Sequence, residues 1–569
     1  MRKNSSCDGQ EHSVTSGKSA SQAFDADRFL LLLAVYNLSD FGTTRRYNMR
    51  LLAFLSTLAL ILCQGQTMIL AETGQTGPTV SLSQGNLRGT VITNGEAVFK
   101  GIPFAQPPVG DLRWRAPLPA KPWTGVRDAS AFGPACVQGG AEGAHSREDC
   151  LYLNVWTPTW PVKSPVAVMV WIYGGGNFAG SASDPIFDGK NLASHGVVLV
   201  TVNYRLGVFG FLAHPELTQE SAHHVSGNYG LLDQVMALQW VHDNIARFGG
   251  DPHNVTIFGE SAGSLDINVL MASPLTEGLF QRVIGESGPV VAPPPMSEGE
   301  KKGVDFAAKL GITGAGALPK LRALSSADLL NATGQGLAFL GPTLGVVVDG
   351  WVFPQSPIRI FAAGREHRVG LMLGSNSQEL QKPFFPMAAG GLHQAITQQY
   401  GTLADSALKT YGLDAATEPA PDPELGPVMA QWATDTQFRC GSVAELVWHS
   451  SANNPAYQFQ FSRSAPGKKA LGAPHGSEVP YVFGTLETNP SADRYSDTDR
   501  KLSEQIQKYW TTFARTGDPN DGVQTRWPKF DPEKRGYLDL MDTGPVAKEG
   551  LRRATCDVYM ELLKTQLSR

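Results

Sequence analysis

The sequence predicts an α/β fold in which a central, mostly parallel β-sheet is flanked by helices. Short apolar runs recur along the chain without strict alternation, which is typical of strands covered on both faces. Segments with helical periodicity lie between these runs, so right-handed crossovers would join neighbouring parallel strands. The runs rich in Val, Ile, Leu and aromatic residues lie at 166–173, 197–203, 255–258, 369–373 and 456–461.

The clearest helix is predicted between the second and third of these strands. Residues 230–248 carry apolar side chains three and four positions apart, and Gly249 and Gly250 follow directly. Glycine ends helices readily because it adopts the left-handed conformation without strain. Residues 503–515 show a similar pattern and predict a helix late in the chain.

Near the start of the predicted fold, residues 79–82 and 87–91 flank a Gln-Gly-Asn turn. This pattern predicts an antiparallel hairpin at the edge of the sheet. Helical insertions at roughly 290–345 and 380–440 are expected to form pocket walls. Since no linker is long or polar enough to separate independent units, residues 72–569 are predicted to form a single domain.

Composition excludes several classes of protein. The 569 residues include 47 Lys and Arg against 52 Asp and Glu, a net charge of −5, and 42% are hydrophobic. This balance excludes intrinsic disorder and a nucleic-acid binder that works through a basic surface. We expect no metal site, because Cys-x-x-Cys is absent and the pair His223 and His224 stands alone in a polar loop.

The N-terminal 71 residues are predicted to be an extension that carries an export signal. Residues 51–63 are apolar except for two hydroxyl residues and follow Arg50, with a small-residue cleavage site near Ala71. The run is shorter than the roughly 20 residues that span a bilayer. We expect translation to start at Met49 and the chain to be periplasmic or secreted.

The number of cysteines agrees with the prediction that the chain is exported. Two of the six lie in the N-terminal extension, and an even number remains in the chain that would be exported. Disulfides persist outside the cytosol, and four cysteines allow three pairings, of which the local pair is the simplest; four buried thiols are the alternative. The four are Cys136, Cys150, Cys440 and Cys556.

A nucleophilic serine is predicted by the Gly-x-Ser-x-Gly pattern at 259–263, which follows an apolar strand and precedes a helix-forming segment. Small residues on both sides of Ser261 allow the sharp strand-to-helix turn that exposes such a nucleophile. A similar segment surrounds Ser287, but Pro289 stands where the second glycine should be, so Ser287 is rejected.

A serine nucleophile also needs a base, an orienting acid and an anion-stabilising pocket. Three glycines at 174–176 follow a predicted strand and could present backbone N–H groups to a substrate oxygen. The base must be one of twelve histidines, and His475 is a candidate by position because it lies in a loop after the strand 456–461. Glu379 is the preferred acid because it follows the strand 369–373, and Asp349 is its rival.

Several longer motifs occur in one order from about residue 79 to near the C-terminus. They are GIPFAQPPVGDLRW at 101–114, EDCLYLNVW at 148–156, WIYGGG at 171–176, NYRLGVFGF at 203–211, GNYGLLD at 227–233, FGGDP at 248–252, GSNSQE at 374–379 and WTTFARTGDPN at 510–520. On these motifs the chain resembles the type-B carboxylesterases, within the carboxylesterase/lipase family that also contains the cholinesterases. The resemblance implies an α/β-hydrolase fold and a serine hydrolase of small-molecule carboxylic esters that uses no cofactor.

The resemblance assigns roles to individual residues. Ser261 matches the family's nucleophile, Glu379 its acid and His475 its base. The backbone donors of the oxyanion hole are matched by Gly175, Gly176 and Ala262. The two family disulfides are matched by Cys136–Cys150 and Cys440–Cys556. Glu478 matches an acidic position after the base, which we interpret as structural.

The chain departs from the family pattern near the expected acyl pocket. Asn177 stands where an aromatic residue is usual, and Tyr173 stands where histidine is common. Cholinesterases carry a choline-binding tryptophan in a longer version of the loop between Cys136 and Cys150. Here thirteen residues separate those cysteines and none is aromatic, so we expect no cholinesterase preference.

A second function class competes with the enzyme. The same fold also serves as a catalytically silent adhesion or binding module. That alternative predicts a damaged triad or oxyanion hole, whereas the sequence carries a residue for every part.

Overall fold

The computed structural model describes residues 77–92, 95–140, 142–333, 345–384, 387, 390–415, 417–464, 472–488 and 495–568. The predicted export segment and Met49 lie outside the described residues. Gly77–Arg569 forms one compact unit. Within the described ranges, no helix is both long and apolar enough to cross a membrane.

An eleven-stranded sheet runs through this unit, in the order β14-β13-β12-β11-β10-β9-β7-β8-β6-β4-β3. The strands are β1 Thr79–Ser81, β2 Asn86–Arg88, β3 Thr90–Val91, β4 Ala97–Pro103, β5 Val126–Asp128, β6 Tyr152–Thr157, β7 Val166–Ile172, β8 Val198–Val202, β9 Gly250–Glu260, β10 Arg282–Glu286, β11 Gly370–Asn376, β12 Ala456–Phe461, β13 Gly536–Met541 and β14 Gly544–Glu549.

The centre of the sheet is parallel and its two edges are antiparallel. From β8 through β13 all neighbouring pairs are parallel, whereas β13–β14, β6–β8, β4–β6 and β3–β4 are antiparallel. The five apolar runs of the sequence form β7, β8, β9, β11 and β12, so the predicted α/β sheet is confirmed. All parallel strands therefore point their carboxyl ends to one edge.

Helices cover both faces and fill the insertions. They are α1 Lys190–Ser194, α2 Gly207–Phe211, α3 Pro215–Glu220, α4 Tyr229–Asn244, α5 Ala262–Met271, α6 Met296–Lys309, α7 Ala317–Ala323, α8 Ser326–Ala332, α9 Pro357–Ala362, α10 Gly391–Tyr400, α11 Ala404–Thr410, α12 Val428–Thr434, α13 Cys440–Ser451, α14 Val479–Phe483, α15 Asp497–Thr516 and α16 Arg553–Leu567, with a π-helical turn at Asp435–Arg439.

The predicted helix at 230–248 is observed as α4 and a following 3₁₀ turn that ends at Gly249, whose φ is +83°. Helix α15 begins six residues earlier than the apolar pattern at 503–515 indicated. Its first turn is polar and starts from a capping box between Ser496 and Asp499, so hydrogen bonding rather than apolar burial defines that end.

The predicted N-terminal hairpin forms, but its location differs from the expectation. Strands β1 and β2 pair antiparallel, and β2 pairs in parallel with β5, so these three strands make a separate small sheet. The predicted strand 87–91 is divided at Gly89, where the backbone packs so closely that a Cβ would lie 2.5 Å from the carbonyl oxygen of Val98. Only the segment after Gly89, β3, reaches the edge of the main sheet.

Two disulfides tie distant parts of the unit. Cys136 is bonded to Cys150 across 14 positions, and Cys440 to Cys556 across 116 positions. The second bond joins α13 to α16. All four cysteines are at most 1% exposed.

The two disulfides are expected to contribute unequally to stability. In the loop-entropy account a short closed loop contributes roughly 3 kcal/mol and a loop of about 100 residues nearly 5 kcal/mol. Urea denaturation of C440A/C556A should therefore show a larger loss of unfolding free energy than that of C136A/C150A, the matched variant with equally buried cysteines. A larger loss in C136A/C150A would contradict this ranking.

Candidate active site

Ser261 lies on a strained turn between β9 and α5. Its backbone adopts φ +55° and ψ −121°, a conformation that costs a non-glycine residue about 1–3 kcal/mol. Its N–H donates to the carbonyl oxygen of Glu286 at 2.9 Å, which holds the turn against β10.

Two glycines make this turn possible. A Cβ on Gly259 would lie 2.6 Å from the carbonyl oxygen of Ile172, and a Cβ on Gly263 would overlap the same oxygen. The turn therefore packs against the end of β7 more closely than any side chain allows.

The structure brings Ser261, His475 and Glu379 into one chain of hydrogen bonds. Nε2 of His475 lies 2.8 Å from Oγ of Ser261, and Nδ1 lies 2.7 Å from Oε2 of Glu379. The Glu379 side chain is fully buried, and its other oxygen accepts from the backbone N–H of Asn376 at 2.6 Å. The backbone N–H of His475 donates to the carbonyl oxygen of Glu379 at 3.0 Å.

Two other sequence candidates lie apart from this chain. Asp349 accepts from Nδ2 of Asn228 at 2.9 Å and from backbone N–H groups at 351 and 352. Its hydrogen bonds therefore stabilise a separate turn. Ser287 is 1% exposed, and among the described residues its hydroxyl has no hydrogen-bond partner. Neither side chain contacts His475 in the described part of the chain.

The glycine loop, residues 173–177, lies beside the serine. A Cβ on Gly174 would be 2.9 Å from Cβ of Ser261. Gly175 and Gly176 have φ of +90° and +64° and are exposed next to the serine turn. Ala262 opens α5, where a backbone N–H has no partner within the helix.

Carboxyl groups surround His475 on the side away from solvent. Oε1 of Glu260 lies 3.2 Å from Nε2 of His475. Glu478 accepts from Nδ2 of Asn376 at 2.5 Å, and Glu286 accepts from Nε1 of Trp510 at 2.9 Å. The other oxygens of Glu478 and Glu286 are buried without a hydrogen-bond partner among the described residues.

This environment raises the pKa values of His475 and of its carboxyl neighbours Glu260 and Glu286. Burial lowers the pKa of His475, but the carboxylates of Glu260, Glu379 and Glu478 outweigh it and raise that pKa to about 10. Burial raises the pKa of Glu260 to about 7 and that of Glu286 to about 8. Close carboxyl groups in an apolar site cannot all be ionised, so the cluster retains protons that isolated carboxyls would lose.

Two phenylalanines pack against the imidazole of His475. The ring of Phe438 lies 4.7 Å from it, centroid to centroid, and that of Phe384 lies 6.2 Å away in an edge-on arrangement. Phe438 belongs to the π-helical turn, and the next residue, Arg439, donates to the carbonyl oxygen of Ser377 at 2.8 Å. The turn thus supports both the imidazole and the loop that carries the acid.

Sequence reasoning did not identify some of these neighbours. Glu260 and Asn376 stand inside motifs that were noted for other residues, so their positions beside Ser261 and Glu379 were the available signal. Phe438 lies in no motif, and it reaches His475 only because the π-helical turn folds against the loop of the base.

A family model described as the carboxylesterase family matches residues 76–559. The chain is 36% identical to fumonisin B1 esterase of Sphingopyxis macrogoltabida over 483 residues, which cover 80% of this chain and 84% of that protein. It is 37% identical to para-nitrobenzyl esterase of Bacillus subtilis (strain 168) over 490 residues, which cover 81% of this chain and 94% of that protein.

Solved structures show the same likeness. A PNB esterase superimposes with a TM-score of 0.72 at 33% identity, covering 84% of this chain and 100% of that chain. A carboxylesterase of Geobacillus stearothermophilus gives 0.73 at 33% identity, covering 84% and 99%. The similarity therefore extends over the whole α/β unit.

Gly263→Ala tests the tight packing of the serine turn. The added methyl would meet backbone of β7, which cannot rotate away, so the free energy of unfolding should fall by about 2 kcal/mol or more. Gly139→Ala is the matched control, because its φ is not positive and, apart from its chain neighbours, no atom of the described residues would lie within 4 Å of its Cβ. Urea denaturation gives the free energy of unfolding of both variants. Equal losses in Gly263→Ala and Gly139→Ala would contradict the packing argument.

Proposed function

The chain belongs to the carboxylesterase family and is a carboxylic ester hydrolase, and we propose that it cleaves esters through an acyl-enzyme formed on Ser261. The observation that carries this proposal is the pair of contacts of His475, 2.8 Å to Oγ of Ser261 and 2.7 Å to Glu379. A base that touches both its nucleophile and its orienting acid is the arrangement that acyl transfer requires.

In the first step Oγ of Ser261 attacks the ester carbonyl carbon, and Nε2 of His475 takes the hydroxyl proton. The carbonyl oxygen gains negative charge as the tetrahedral intermediate forms. Backbone N–H groups of Gly175, Gly176 and Ala262 are proposed to hold that oxygen. Donors fixed before reaction stabilise the charge without reorganising, and loss of one costs on the order of 10²–10³ in turnover.

The imidazolium then gives its proton to the leaving alcohol, and the carbonyl reforms as the acyl-enzyme. Water repeats the sequence, with His475 as base, and releases the acid. Glu379 fixes the imidazole so that Nε2 faces Ser261, and stabilises the positive charge that forms on it. Glu260 adds a second negative charge 3.2 Å from Nε2, which further favours the imidazolium.

The substrate is proposed to be a small ester without a cationic head group. The loop closed by Cys136 and Cys150 carries no aromatic side chain that could face a quaternary ammonium. A catalytically silent binding module does not fit this site, because binding alone does not require a strained serine that is hydrogen-bonded to an imidazole.

We also propose that the signal within the N-terminal extension, translated from Met49, directs export and is removed near Ala71, leaving 72–569 as the enzyme. Two disulfides support this proposal, because such bonds persist in oxidising compartments.

Substitutions of the proposed triad test the mechanism. Ser261→Ala should lower kcat for p-nitrophenyl butyrate by on the order of 10⁴–10⁶, because no acyl-enzyme can form. Glu379→Gln should cost about 10⁴, because it no longer fixes the imidazole. Asp349→Asn should leave kcat/KM of the folded protein unchanged. Normal turnover by Ser261→Ala would refute the nucleophile, and an inactive Asp349→Asn would refute the acid.

The pH profile tests the carboxylates around His475. Since they raise its pKa, the acidic limb of kcat/KM should have its midpoint above 6.5, with activity rising as His475 loses its proton. Glu260→Gln removes a negative charge and lowers that pKa, so the limb should move down by about one pH unit or more.

Glu366→Gln is the matched control for this profile. Glu366 also contacts an imidazole, with Oε1 2.8 Å from Nδ1 of His449, but in a pair outside the proposed site. The acidic limb of kcat/KM measured for Glu366→Gln should coincide with that of the unmodified enzyme. An unchanged or higher midpoint in Glu260→Gln would show that Glu260 carries no charge that His475 senses.

A further inference from the structure

The side chain of Asn177 connects the glycine loop to two other elements. Its backbone adopts φ +63°, and its carbonyl oxygen accepts from the N–H of Gly207 at 2.7 Å. Its Nδ2 donates to Oδ1 of Asp266 at 2.8 Å, and its Oδ1 lies 3.0 Å from the hydroxyl of Tyr204. Every polar atom of the side chain therefore has a partner.

Asp266 lies on α5, the helix that begins directly after Ser261, and is fully buried. Its second oxygen, Oδ2, accepts from Nε2 of Gln234 on α4 at 2.5 Å. A buried carboxyl held by two amides is costly to leave unpartnered, so removal of Asn177 should disturb the site rather than leave it unchanged.

The hydroxyl of Tyr204 lies between the two ends of the glycine loop and shares its single proton between an acceptor at each end. Its oxygen lies 2.8 Å from the carbonyl oxygen of Tyr173, at the start of the loop, and 3.0 Å from Oδ1 of Asn177, at its end. The rings of Tyr173 and Tyr204 stack at 4.6 Å with an interplanar angle of 23°. The loop is thus held at its two ends while Gly175 and Gly176 remain exposed between them.

We propose that Asn177 and Asp266 form a clamp that sets the position of the glycine loop relative to α5, and that Asn177 is a positioning residue for ester hydrolysis. The inference rests on the proposed function, in which the loop and α5 supply different donors to one oxyanion. Donors on two separate elements act together only if their spacing is fixed, and a misplacement of 1 Å can cost on the order of 10²-fold in rate.

Two variants interrupt the clamp from opposite sides. Asn177→Gly removes the side chain without placing a Cβ in left-handed backbone, and Asp266→Ala removes the carboxylate that accepts from Asn177. Each should lower kcat for p-nitrophenyl butyrate by about 10–100-fold and change KM by less than about 3-fold, because the clamp acts on the transition state. Each should weaken binding of a trifluoromethyl ketone by the same factor as kcat/KM, since its hemiketal oxygen occupies the oxyanion hole.

The double variant supplies the decisive comparison. If both residues act through one contact, N177G/D266A should be no slower than the slower single variant, whereas independent effects would multiply. Asp349→Asn is the matched control, because Asp349 also accepts from an amide, that of Asn228 at 2.9 Å, on other elements. It should leave kcat and ketone affinity unchanged.

All rates are referred to folded protein, measured by circular dichroism and thermal midpoint. Unchanged kcat and ketone affinity in folded Asn177→Gly, or losses that multiply in the double variant, would overturn the clamp. If the clamp is overturned but Ser261→Ala is inactive, the proposed function still holds. An active Ser261→Ala would refute the proposed function, whatever the clamp variants show.

Discussion

The rest of the site depends on the close packing of the serine turn against the end of β7. Gly259 and Gly263 allow this approach, and the carbonyl oxygen of Ile172 occupies the space that any side chain would need. The contact holds Ser261 at positive φ and places it beside the glycine loop, which follows β7 directly. A parallel sheet makes this possible, because β7 and β9 end at the same edge and are hydrogen-bonded neighbours.

Burial then gives the site its electrostatic character. Glu379 is fully buried and pairs with His475, and Glu260, Glu286 and Glu478 add carboxyl groups in a region where water cannot screen them. The cost of burying these groups is offset in part by Asn376, Trp510 and the imidazole itself. The same arrangement favours a positive charge on His475, which is the charge that acyl transfer creates there.

The local sequence predicts those elements whose apolar residues follow an uninterrupted strand or helix pattern. The five buried strands and helix α4 were predicted because their patterns are continuous. Strands β10 and β13 were not, since their apolar runs are interrupted. In β10 only Val283 and Ile284 are large and apolar, and β13 buries Asp539, which is paired with Lys548 at 2.6 Å on β14. The hairpin was predicted but placed on the wrong sheet, because the choice of sheet depends on β5, forty residues away.

By itself the sequence determined the fold class and the serine turn at 261, because glycine spacing and strand patterns are local properties, and it left Glu379 and Asp349 as rival acids. Only the tertiary structure decided between Glu379 and Asp349, since the choice depends on which carboxylate reaches Nδ1 of His475. It also decided the partners of Asn177 and the carboxyl cluster at His475. Those contacts join elements far apart in the chain, and their distances follow from how the sheet and helices pack rather than from any local pattern.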